Sequence, residues 1–178
     1  MKPLAVVLLL LVLLSGCSTY SAHRYSVSTD NVVALRTLSE KTLNVGPFTA
    51  AEPGQNQIMC RGVGPIKTPD GEPFSEFVRK ALVDELRMAN AFSPAAPVTL
   101  TGNLDRIDFS SAGGNWNLAL TVISSNGKSM TVTEEFKYTS SWYGETACNQ
   151  TAQALVPAVQ NLIGKLVRSP DFTVLVSR

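Results

Sequence analysis

Residues 98–138 constrain this chain most, because their apolar side chains return at every second position. Val98, Leu100 and Leu104 begin the series, and Ile107 and Phe109 continue it in shifted phase. Trp116, Leu118, Leu120 and Val122 follow, then Met130, Val132, Phe136 and Tyr138. A period of two places these groups on one face of a strand, and no helix accommodates it. The change of phase between Leu104 and Ile107 predicts a β-bulge there. Gly113-Gly114 and Asn126-Gly127 supply the two reversals. The second reversal fixes a register. A two-residue loop would set Val122 against Thr131 and Leu120 against Thr133, apolar face against polar face, which a half-buried sheet excludes. A three-residue loop with Gly127 left-handed instead pairs Val122 with Met130, Leu120 with Val132 and Trp116 with Phe136.

Three strands with one apolar face need a cover, and the chain carries two candidates. Pro73 suits a first helical position. After it, Phe74, Phe77, Val78, Ala81, Leu82 and Leu86 repeat at helical spacing, with Glu76, Arg79, Lys80, Asp84, Glu85 and Arg87 mainly off that stripe. The second helix starts near Thr146 and carries Cys148, Ala152, Leu155, Val156, Val159, Leu162, Ile163 and Leu166. Pro157 inside it predicts a kink, or two segments that meet there. Residues 42–48 and 57–65 read as strands, and Phe172, Val174 and Val176 as a short closing strand. Ser28, Thr29 and Asp30 are candidate caps for a short helix or turn through Val32, Val33, Leu35 and Leu38. The fold expected is α+β: an antiparallel sheet of about four to five strands with two amphipathic helices packed on one face.

The amino terminus has a different character. One positive charge, Lys2, precedes an apolar run over residues 4–14, then Ser15-Gly16-Cys17. That is the build of a secretory signal, too short for a permanent span. The small pair directly before a cysteine resembles the lipobox of bacterial lipoproteins. The resemblance implies removal of residues 1–16 and acylation of Cys17, so that the membrane is a partner through acyl chains. Ser18, in place of aspartate, points by the same resemblance to the outer membrane, periplasmic face, with the inner membrane as the alternative. Residues 17–31 then read as lipidated cysteine and polar tether, and residues 32–178 as one periplasmic domain.

Losing Lys2 with the signal brings the 15 Lys and Arg level with the 14 Asp and Glu. A neutral body argues against nucleic acid as a partner and against an electrostatic grip on anionic lipid. An oxidising compartment predicts a Cys60–Cys148 disulfide, with two buried thiols as the alternative.

Residues that could carry catalysis or bind a metal are sparse. His23 is the single histidine, and it lies in the tether. A histidine-dependent triad in the folded domain is excluded, and two separated cysteines make no zinc site. Ser125-x-x-Lys128 has the spacing of a Ser–Lys acyltransferase, but Asn126-Gly127 makes a hairpin tip where that motif needs a helical turn. Gly127-Lys128-Ser129 lacks the upstream glycine of a phosphate loop, since that position is Val122. No cofactor motif emerges. Glu134 and Glu135 are strand neighbours that point to opposite faces, so they cannot share a proton. Glu134 nevertheless falls on the apolar parity, opposite Leu118: either the position is an edge, or a polar group lines a cleft between sheet and helix. Asp105 and Asp108 read as solvated. Trp142-Tyr143, in the loop before the last helix, is the best candidate contact surface; the competing reading tucks both under the loop to finish the core.

The segments 74–92 (FSEFVRKALVDELRMANAF) and 97–104 (PVTLTGNL), the meander with Ser125-Asn126-Gly127-Lys128 and the helix after Cys148 together resemble the YajG-type lipoproteins of Gram-negative outer membranes. A remoter resemblance reaches accessory lipoproteins of envelope machines. Pro157 and the two cysteines are not features of that pattern. The resemblance implies binding or scaffolding for an envelope protein complex, without catalysis. A carrier of a lipid or other apolar ligand is the second expectation, and a cell-wall hydrolase the third.

Overall fold

The computed structural model describes residues 19–37 and 41–177. Cys17, Ser18 and the apolar run before them, with Leu38, lie outside the described residues. In chain order the elements are β1 (Tyr20–Ser21), α1 (Thr29–Arg36), β2 (Leu43–Ala50), β3 (Gln57–Cys60), β4 (Gly64–Lys67) and α2 (Phe74–Met88). Then follow β5 (Val98–Ser110), β6 (Asn115–Ser124), β7 (Ser129–Lys137), α3 (Gly144–Val167) and α4 (Pro170–Leu175).

The meander forms as its pattern requires. Strands β6 and β7 pair Val122 with Met130, Leu120 with Val132 and Trp116 with Phe136. Ser124 N–H donates to the Lys128 carbonyl at 2.8 Å, and Gly127 takes φ +84°. Between β5 and β6 the register slips at Asp105: Leu104 faces Leu120, and Arg106 faces Ala119. That one extra residue restores Ile107 to the position opposite Leu118.

An α+β architecture results, with α2 over β2 and β5 and α3 over β6 and β7. The space between sheet and helices is filled by Trp116, Phe74, Leu82, Leu86, Leu100, Leu104 and Leu120. Trp116 lies 4.8 Å from Phe109 and 6.5 Å from Phe74 between ring centroids, and its indole N–H donates to the Thr151 carbonyl at 2.8 Å. The other face of the sheet is polar, with pairs such as Thr49–Asn103, Thr121–Thr131 and Asn117–Asp108.

Three expectations are corrected. The strands form two sheets, β1-β4-β3 and β2-β5-β6-β7, and neither is wholly antiparallel. Strand β2 runs parallel to β5 because the chain leaves β2, crosses through a hairpin and α2, and re-enters the sheet in the same direction. Residues 57–65 are a hairpin instead of one strand, reversed at Arg61 (φ +48°) and Gly62 (φ +69°). Residues 172–176 belong mainly to a helix, because Ser169 Oγ accepts from Asp171 N–H and Pro170 fills the first position. Helix α3 continues as one helix through Pro157, the single-helix form of the two expected. One missing hydrogen bond, about 3 kcal/mol, is outweighed by burying Leu155, Val159, Leu162, Ile163 and Leu166.

The polar tether is not free either. Tyr20 and Ser21 pair in parallel with Ile66 and Lys67, and Ala22 is 3% exposed. Tyr20, Tyr25 and Val27 pack against the core. Residues 20–27 are therefore packed on the domain.

Candidate functional site

Three connections meet at one end of the molecule: the β3–β4 tip at residues 61–63, the β5–β6 turn at 111–114, and the loop 139–143 that leads into α3. Arg61 joins them. Its Nε donates to Ser111 Oγ at 2.9 Å, and Nη2 donates to the carbonyls of Ser111 at 2.6 Å and Ser141 at 3.4 Å. Nη1 donates to the Trp142 carbonyl at 3.1 Å. A planar guanidinium with five donors is the side chain suited to gathering several carbonyls at once.

Other contacts fix the same loop. Ser140 hydroxyl donates to the Ser111 carbonyl, Ser141 N–H to Gln150 Oε1 at 2.7 Å, and Tyr143 N–H to Ser141 Oγ at 3.1 Å. Ala147 N–H bonds to the Tyr143 carbonyl at 2.9 Å and starts α3. A Cβ placed on Gly144 would lie 3.0 Å from Val63 Cγ2, so the tip and the helix start are in close approach. Cys60, the residue before Arg61, is bonded to Cys148 in the first turns of α3. Beneath the loop, Tyr138 hydroxyl and Thr151 Oγ1 are 2.7 Å apart. Burial raises the Tyr138 phenol above its ordinary value, against that hydrogen bond and the Arg61 charge, so the phenol stays protonated.

On this fixed backbone the Trp142 and Tyr143 side chains stand outward, 93% and 77% exposed. The reading that tucks them into the core is overturned. The core is completed without them: Trp116 is buried in it, and Phe109, Phe136 and Tyr138 pack against it. Two large aromatics thus stand in water on a hydrogen-bonded backbone, so the backbone ordering that a contact there would need has been met in folding.

Other residues singled out by sequence fall elsewhere. Cys60 and Cys148 form the disulfide. Cys17 lies outside the described residues. His23 is exposed, and among the described residues no group of three His, Cys, Asp or Glu side chains is placed to hold a metal. Ser125 Oγ accepts from Thr99 N–H at the hairpin tip, and Lys128 is exposed. Glu134 does lie opposite Leu118. It is 7% exposed, paired with Lys165 at 2.7 Å and accepting from Asn161 at 3.3 Å. Asp105 accepts from Asn103 and Thr121, and Asp108 from Arg106 and Asn117. Burial pushes the Asp108 carboxyl up, and these bonds together with the Arg106 charge hold it below its usual value.

Sequence reasoning missed two residues. Arg61 left a faint signal, a lone cation between Cys60 and Gly62 in an otherwise uncharged turn. Glu85 read as off the apolar stripe, yet it is wholly buried. The amino-terminal arm covers it: Tyr25 hydroxyl at 2.6 Å, Ser28 N–H at 2.8 Å and Asn31 Nδ2 at 3.3 Å all donate to Oε1. Burial, then that bond and charge, raise the Tyr25 phenol.

No protein-family model matches this sequence, and comparison with curated proteins finds no match.

Proposed function

We propose that this chain is a bacterial lipoprotein whose domain works by contact and not by turnover. Cys17 carries the acyl chains, and the domain sits at the periplasmic face of the outer membrane as a binding or scaffolding part of an envelope protein complex, in the manner of the YajG-type lipoproteins. The observation that supports contact with the envelope, membrane or protein, over turnover is the Trp142–Tyr143 pair, held in water by Arg61, Ser140, Gln150 and the Cys60–Cys148 bond. An aromatic pair presented this way is costly in solution and productive only when covered. The carrier reading gains less support, since the layer between sheet and helices is filled with side chains.

Replacing Cys17 with Ser and fractionating the cells tests the anchor. Each buried acyl methylene contributes about 0.8 kcal/mol, so three chains hold the protein on a membrane and none leaves it free. The expected outcome is transfer of the variant to the soluble fraction. Unchanged membrane association overturns the proposal.

A further inference from the structure

The occupant of the aromatic end follows from where the chain enters the fold. We infer that Trp142 and Tyr143 rest in the headgroup boundary of the bilayer that holds Cys17, so that this end of the domain is a lipid-contact surface. The inference rests on the reading of Cys17 as acylated.

Strand β1 pairs with β4 in parallel, Tyr20 with Ile66 and Ser21 with Lys67. Strand β4 runs away from the tip at residues 61–63, so the chain ahead of Tyr20 arrives from the side of that tip. Cys17 precedes Tyr20 by three residues, which is at most ~11 Å of extended chain. The same tip touches the aromatic loop through Arg61 and Val63. So short a link cannot hold the domain clear of the membrane, and the end nearest the lipid is the one that carries Trp142 and Tyr143.

The chemistry of that end agrees. Across residues 61–63, 111–114 and 139–143 the single charged side chain is Arg61, and its guanidinium is spent on Ser111, Ser141 and Trp142. The remainder is glycine, alanine, valine, hydroxyl groups and the two aromatics. Charges resist approach to hydrocarbon; the nearest exposed one along the chain from Tyr143 is Glu145 in the first turn of α3, a carboxylate that suits the headgroup level and not the acyl region. Tryptophan and tyrosine are the side chains that favour the membrane–water boundary, with an apolar body and a polar tip. The protein partner of the complex then meets another face of the domain, because the link leaves little room between this end and the lipid.

The two tryptophans allow a direct test, since Trp116 is wholly buried and Trp142 is in water. The full chain, purified with its native Cys17 modification, is placed on phosphatidylethanolamine–phosphatidylglycerol vesicles with brominated acyl chains. Trp142 emission is expected to shift to the blue and to be quenched severalfold more than that of Trp116. Trp142→Phe, at an exposed position, should remove that quenching. Vesicle-bound protein whose Trp142 stays unshifted and open to aqueous acrylamide overturns the inference and leaves the anchor standing. So does a photoreactive residue at position 142 that crosslinks in cells to protein and not to lipid. A chain recovered without acyl groups and free of vesicles removes the lipoprotein reading, and this inference with it.

Discussion

Gly114 and Gly127 carry the same backbone demand in different surroundings. Both are left-handed, at φ +67° and +84°. A Cβ on Gly127 would meet nothing within 4 Å, whereas one on Gly114 would lie 2.3 Å from the Tyr138 carbonyl oxygen. Gly127→Ala therefore costs only the left-handed penalty, about 1 kcal/mol. Gly114→Ala adds a backbone clash at the turn that supports the aromatic loop, for a total of about 2–4 kcal/mol. Urea midpoints of the two variants check the order; equal losses would contradict the close approach. Legibility differed at the same scale. Gly127 declared its conformation through Asn126-Gly127 and the facing apolar strands. Arg61 did not, because its acceptors lie 50 and about 80 residues further along the chain, and no local pattern encodes such a meeting. Glu85 was misplaced for the same reason: its helix records the apolar stripe but not the arm that later covers the carboxylate.

At the scale of elements, the open edge of β7 shows how the sheet ends. Tyr138 N–H bonds to Gly114 O and Ser124 N–H to Lys128 O, so even-numbered residues of β7 bond inward and odd-numbered ones face outward. Lys165 on α3 closes the middle of that edge, donating to the Thr133 carbonyl at 2.8 Å while pairing with the buried Glu134. Lys165→Ala frees an edge carbonyl and leaves Glu134 with Asn161 alone. The expected loss is about 2–3 kcal/mol, reduced from a fully buried pair because Lys165 is half exposed, with concentration-dependent self-association. Adding Glu134→Leu should restore much of the stability. Denaturation and light scattering on both variants measure this; a silent Lys165→Ala would show that the pair does no structural work. Parity placed Glu134 on the helix side from the sequence. Its partner was not legible, because a helix stripe does not say which strand lies beneath it.

At the scale of the molecule, the Cys60–Cys148 bond ties the β1-β4-β3 sheet to α3 across a sequence separation of 88. Closing so long a loop restrains the unfolded chain by about 4–5 kcal/mol on the chain-entropy argument. Replacing both cysteines with alanine should lower stability by that amount and loosen the aromatic loop, seen as faster amide exchange at residues 139–144; unchanged unfolding would refute it. Taken alone, the sequence determined whatever repeats within a strand or a turn of helix: the apolar face of β5–β7, the bulge at Asp105, the β6–β7 register and the stripes of α2 and α3. Only the tertiary structure decided the parallel union of β2 with β5, the docking of the amino-terminal arm and the outward stance of Trp142 and Tyr143. Periodicity reports which face of a segment is buried, because that depends on spacing along the chain. It does not report against what the face is buried, because that depends on contacts between residues far apart in sequence.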